Sequence, residues 1–138
     1  MPSRRRFLVI CSVGLVPLLP GARQLRAARP VPAAGPHPTP RPGITAARVL
    51  SREQLADTPA AIPVFDQVRE IPEIVDGIRC QCGCADLEDH YSLLSCYEGE
   101  AMAKSCVVCQ GQGRLAYRLH RAGKTLEEIR HAIDARYG

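Results

Sequence analysis

Helical spacing of apolar positions is clearest at the C-terminal end of the chain. Leu115 and Leu119 lie four apart on one face with Ala122, and Gly123 follows where a helix would end. Thr125-Leu126-Glu127-Glu128 then has the form of a capping box, with Thr125 as N-cap and Glu128 three residues on. Leu126, Ile129, Ile133 and Tyr137 continue at steps of three or four, a single apolar stripe. The pattern predicts two antiparallel helices joined at Gly123. Upstream, Ile71–Gly77 predicts a helical stub: Pro72 suits the first turn, Glu73 the positive end of the dipole, and Gly77 the close. Residues 51–70 are less legible, since Pro59 and Pro63 limit them to short helices. The expected fold is all-α, a small cysteine-rich domain over residues 71–138 with three or four short helices, ending in a helical hairpin.

The N-terminal third follows a different pattern. Phe7–Leu19 is apolar and stands behind Arg4, Arg5 and Arg6. It is too short to span a bilayer at roughly 1.5 Å per residue and fits a signal peptide over residues 1–28. Ser3-Arg4-Arg5-Arg6-Phe7-Leu8 resembles a twin-arginine signal, with an ordinary secretory signal as the alternative. The protein is therefore expected in the periplasm or outside the cell, touching membrane only through an uncleaved leader. Cys11 lies inside the apolar stretch without the small residue before it that a lipid-attachment cysteine wants, so it reads as filler. Nine of the twelve prolines fall in residues 1–50, which makes residues 29–50 an expected Pro-rich, extended, solvated linker, His37 included.

Charge follows the same division. All fourteen acidic residues lie beyond position 50, beside ten of the eighteen basic ones, so the overall +4 belongs to the leader and linker. A net-negative domain without a basic cluster is not a nucleic-acid binder. Nothing resembles a nucleotide loop, a hydrolytic triad or paired catalytic carboxylates.

With only four Tyr, two Phe and no Trp, a domain of this size needs help beyond its core. The cysteines supply the candidate. Cys80, Cys82 and Cys84 form C-x-C-G-C, Cys96 follows, and Cys106 and Cys109 form C-x-x-C at a helix start; His90 stands between the groups. A C-x-x-C on a first helical turn directs both sulfurs at one ion, where the free amides favour thiolate. In C-x-C-G-C, alternate side chains of an extended segment point one way, and Gly83 lets the backbone fold around a ligand. Six thiolates exceed the four that one tetrahedral ion needs, which allows a multinuclear cluster, or one ion beside a disulfide. Soft thiolates select copper(I), zinc(II) or iron–sulfur clusters, and imidazole from His90 suits zinc or copper better. Two alternatives stay open: structural disulfides, as in many exported domains, and a catalytic dithiol.

These residues resemble a family. Cys80-Gln81-Cys82-Gly83-Cys84, then His90–Tyr97, then Cys106-Val107-Val108-Cys109 are similar to exported bacterial proteins known by a P-C-Y-C-G-C motif, and so is the ending at Ala116–Leu119, Gly123-Lys124-Thr125 and Glu128-Ile129-Arg130. The resemblance covers residues 71–138 and implies an exported domain, not a named activity. Arg79 and Gln81 stand where the motif has Pro and Tyr. Family members often carry a His shortly before the C-x-x-C; this chain has Glu100–Lys104 there, with Met102 a soft substitute or a packing residue. The C-x-x-C-Q start and Arg136-Tyr137-Gly138 close are also similar to the thiol-reductase subunit of cytochrome c maturation.

The expected function is binding of copper(I) or zinc(II), as carrier, sensor or metal-stabilised module, with Cys80, Cys82, Cys84, His90, Cys96, Cys106 and Cys109 as ligands. The expected partners are the metal ion and another exported metal-handling or redox protein. The alternative is a thiol–disulfide oxidoreductase, with Cys106 as nucleophile and Cys109 as resolving thiol.

Overall fold

A computed structural model describes residues 35–138. The expected signal peptide and Cys11 lie outside the described residues. Four α-helices form: α1 Ile62–Glu70, α2 Pro72–Asp76, α3 Val107–Arg121 and α4 Leu126–Tyr137. Single 3-10 turns at Cys84–Asp86, Leu93–Tyr97 and Met102–Lys104 carry the chain from α2 to α3. Among the described residues there is no strand, only one isolated antiparallel bridge between Val49 and Glu98.

The predicted caps form. Thr125 Oγ1 accepts from the Glu128 amide at 3.3 Å, while the Glu128 carboxylate accepts from the Thr125 amide at 2.8 Å. Gly123, at φ +79°, makes the left-handed turn that reverses the chain between α3 and α4. Ile129 and Ile133 of α4 are fully buried, with Leu126 and Tyr137 packed at the margin. Pro63 and Pro72 stand in the first turns of α1 and α2, where no amide partner is lost. Gly77 closes α2 at an ordinary negative φ; a side chain there would strike Leu126 and Pro40, so close approach decides its identity.

The face that α3 buries differs from the expected one. Cys109, Gln112, Gly113 and Ala116 are fully or almost fully covered, Leu115 is mostly covered, Leu119 is half-buried and Ala122 is exposed. A stripe built on cysteine, glutamine and glycine carries little hydropathy signal. Gly113 is needed because Tyr97 lies directly against α3, with its hydroxyl donating to the Cys109 carbonyl at 2.7 Å. The Tyr97 ring meets Phe65 of α1 edge to face, centroids 4.8 Å apart. This central stack ties α1 and the Leu93–Tyr97 turn to the first half of α3, where the cysteines gather.

The expected solvated linker is corrected for residues 36–50. Arg41 pairs with the fully buried carboxylate of Asp76, Val49 is buried, and the Leu50 amide donates to the Tyr97 carbonyl at 3.1 Å. Proline-rich backbone has few amides to satisfy, so it can lie along a folded surface as an extended strap fixed by side chains. His37 is part of that strap: Nδ1 accepts from the Arg79 amide at 2.9 Å, and Nε2 lies 3.0 Å from Asp134.

Candidate metal centre

All six cysteines of the described chain are free thiols, and all six converge. The first three come from a turn rather than an extended segment. Gly83, at φ +93°, folds the backbone between Cys82 and Cys84 and brings their sulfurs to 3.0 Å, with Cys80 Sγ 3.3 Å from Cys82 Sγ. The Leu93–Tyr97 turn, closed by a Ser92/Ser95 capping box, delivers Cys96 to 3.2 Å from Cys84. Helix α3 delivers the last two. Cys106 is its N-cap, accepting the Cys109 amide at 3.4 Å, and Cys109 Sγ lies 3.6 Å from both Cys80 and Cys82.

The sulfurs fall into two groups, each with its members within 4.8 Å of one another: Cys80, Cys84, Cys96 and Cys109, and Cys82, Cys106 and Cys109. Sulfurs around a tetrahedral ion with bonds near 2.3 Å stand about 3.8 Å apart; Cys80–Cys109 at 3.6 Å and Cys84–Cys96 at 3.2 Å lie near that separation, and every pair in the group is within 4.8 Å. The cysteine cluster could therefore hold a metal ion.

Its electrostatics favour a cation. Hydrogen bonds from Cys109 and Cys96 hold the Cys80 thiol down to about 2, against the cost of burial. Gln112, itself fully buried, presents its side-chain amide to Cys80 Sγ at 3.7 Å and accepts the Gln81 amide at 3.2 Å. With that charge in place, other sulfurs resist ionising. Cys109 is pushed far up by Cys80 and Cys96, and Cys84 by burial and then by its neighbours. For Cys96 a bond from Cys109 favours thiolate but is outweighed by Cys80 and burial, leaving it at about 12. Burial also raises Cys82. Cys106 differs: burial opposes its ionisation, yet the Cys109 amide and thiol hold it below the ordinary value. A bound ion would remove the mutual repulsion and displace the protons.

His90 is not in either group. It lines a cavity of about 450 Å³ with Arg48, Glu98 and Met102, and its buried Nδ1 has no hydrogen-bond partner. Met102 is 37% exposed, lines the same cavity and does not belong to the buried core. His120 of α3 and His131 of α4 are exposed. Gln112 and Tyr97 were missed from sequence; Gln112 stands one turn from Cys109 on α3, which was the signal available.

The two departures from the motif have structural partners. Arg79 has the amide that proline lacks, and gives it to His37. Gln81 Nε2 donates to Asp134 Oδ1 at 2.8 Å, the same carboxylate that faces His37. Strap, cysteine turn and α4 are thereby joined through Asp134.

Fold and site together define a small helical domain built around a thiol cluster. A family model described as protein of unknown function with PCYCGC motif matches residues 46–138, and the chain belongs to that family. The match begins 25 residues before the expected start at Ile71 and takes in part of the strap and all of α1. No curated protein and no solved structure matches the chain.

Proposed function

We propose that this is an exported soft-metal-binding protein, whose thiolates hold copper(I) or zinc(II) for carriage, sensing or stabilisation of the fold. One observation carries the reading: the sulfurs of Cys80, Cys84, Cys96 and Cys109 are buried and lie within 4.8 Å of one another. Four thiols this close, drawn from a turn, a 3-10 segment and a helix, repel one another once ionised, and a thiophilic cation is the natural counter-charge. Export rests on the arginine run and apolar stretch of residues 1–28. Replacing Arg4, Arg5 and Arg6 with Lys and fractionating cells tests the twin-arginine route; unchanged export rejects it.

A second reading, thiol–disulfide exchange, has a specific observation behind it. Cys106 is half-buried at the start of a 15-residue helix with a lowered thiol pKa, and Cys109 is buried behind it. Metal analysis of protein purified without reducing agent separates the two. Stoichiometric copper or zinc, released only by chelator, supports the metal reading. Metal-free protein that turns over a disulfide substrate with a dithiol supports exchange.

A further inference from the structure

We propose that the six thiols form one two-ion centre with unequal halves that share Cys109. The inference rests on reading the cluster as a metal site. Its inner half is Cys80, Cys84, Cys96 and Cys109, all buried; its outer half is Cys82, Cys106 and Cys109, of which Cys82 and Cys106 are half-exposed. Four thiolates complete a tetrahedral ion and close it off, the arrangement of structural zinc. Three leave one coordination position free, the arrangement of a site that takes another ligand. The free position lies toward solvent, since Val107, next to Cys106 at the tip of α3, is 77% exposed.

Charge supports two divalent ions over one. A single divalent ion would leave four of six thiolates uncancelled or still protonated, whereas two leave only two uncancelled. The positive end of the 15-residue α3, directed at Cys106 and Cys109, and the side-chain amide of Gln112 meet that remainder. The inner ion thus holds the fold, and the outer ion exchanges with an incoming thiolate ligand such as a cysteine of an acceptor protein.

Titration of the reduced, full-length chain with zinc(II), followed by challenge with a chromophoric chelator, tests this. The expected result is two ions per chain, leaving in two phases of equal amplitude. Cys106→Ser and Cys82→Ser should each hold one ion, keep the slow phase and retain the helical circular dichroism. In cadmium NMR the native protein should give two resonances coupled through the shared sulfur, and Cys106→Ser one. A single ion in the native chain, two ions leaving at one rate, or loss of both ions in Cys106→Ser overturns the two-site arrangement while leaving metal binding intact. Absence of zinc and cadmium binding overturns the two-ion centre, and absence of copper(I) binding besides overturns the underlying metal reading as well.

Discussion

Arg41 holds the carboxylate of Asp76 from three sides: Nη2 reaches Oδ1 at 2.6 Å, Nε reaches Oδ2 at 3.1 Å, and the Arg41 amide reaches Oδ2 at 2.8 Å. The Ser92 hydroxyl donates a further bond to Oδ1 at 2.8 Å. Asp76 is the last residue of α2 and fully buried, while Arg41 belongs to the proline-rich strap and is a third exposed. The strap thereby neutralises a core charge and fixes α2 and the segment before Cys96 together.

Breaking that pair should therefore cost more than a surface bridge would. Arg41→Ala leaves a buried carboxylate without its cation, and since Arg41 is a third exposed the expected loss is near the lower end of the usual range, about 3 kcal/mol. Burial raises the Asp76 pKa, but Arg41 and Ser92 outweigh it and the net shift is downward. A lowered folded pKa gives stability that is present above the ordinary carboxylate value and lost as pH falls through the folded one. Urea melts at neutral pH should show the loss in Arg41→Ala, and the variant should lack the acid-side decline that Asp76 contributes to the native protein.

Metal should stabilise the reduced protein. A ligand present at 100 times its dissociation constant contributes about 2.7 kcal/mol. For a domain this small, that is a rise in Tm on the order of 10–20 °C. Differential scanning fluorimetry of the reduced chain with copper(I) or zinc(II) checks it. Cys84→Ser and Cys96→Ser should each remove most of the rise, because both belong to the buried four-sulfur group. His90→Ala should leave it unchanged, since His90 lies in neither sulfur group.

The reduced, metal-free protein should be alkali-labile. Cys84 and Cys109 are raised, and Cys96 is raised to about 12. Tyr97 is raised as well, by burial and by the neighbouring sulfurs. A raised folded pKa gives stability that is full below the unfolded value and lost as pH rises through the folded one. The window for the thiols therefore opens at the ordinary value of 9.0 and runs to about 12 for Cys96. Tm measured from pH 8 upward should fall across that window without metal, and metal that holds the thiolates ionised should remove the thiol part of the fall while leaving the part due to buried Tyr97. A flat metal-free profile would contradict the packing of the sulfurs described above.

Gly113 tests the contact beneath the centre. A methyl group there would fall on the Tyr97 hydroxyl and against Val64 Cγ2, so Gly113→Ala should destabilise by about 1–3 kcal/mol. Tyr97→Phe removes the obstructing oxygen, and the double variant should be more stable than the sum of the single changes allows. Equilibrium denaturation of the four proteins measures that coupling.

The elements that local rules govern were legible in the sequence alone. Thr125, Glu128 and Gly123 mark the ends of the hairpin helices because caps and left-handed turns involve only neighbouring backbone, and Ile129 and Ile133 repeat at helical spacing because one face of α4 is buried. The spacing of Cys80, Cys82 and Cys84 and of Cys106 and Cys109 likewise marked a thiol site. Tertiary structure decided the rest. Whether Cys96 or His90 joins the cluster depends on how the Leu93–Tyr97 turn docks against α3, which no local pattern encodes. The buried face of α3 contains Gln112 and Gly113, chosen to reach a sulfur and to admit a tyrosine rather than for hydropathy. Residues 36–50 have the composition of a spacer, because a strap held by a few side-chain contacts such as Arg41–Asp76 and His37–Asp134 needs no apolar periodicity. Caps and stripes are properties of adjacent residues; the convergence of six sulfurs from three segments is a property of packing.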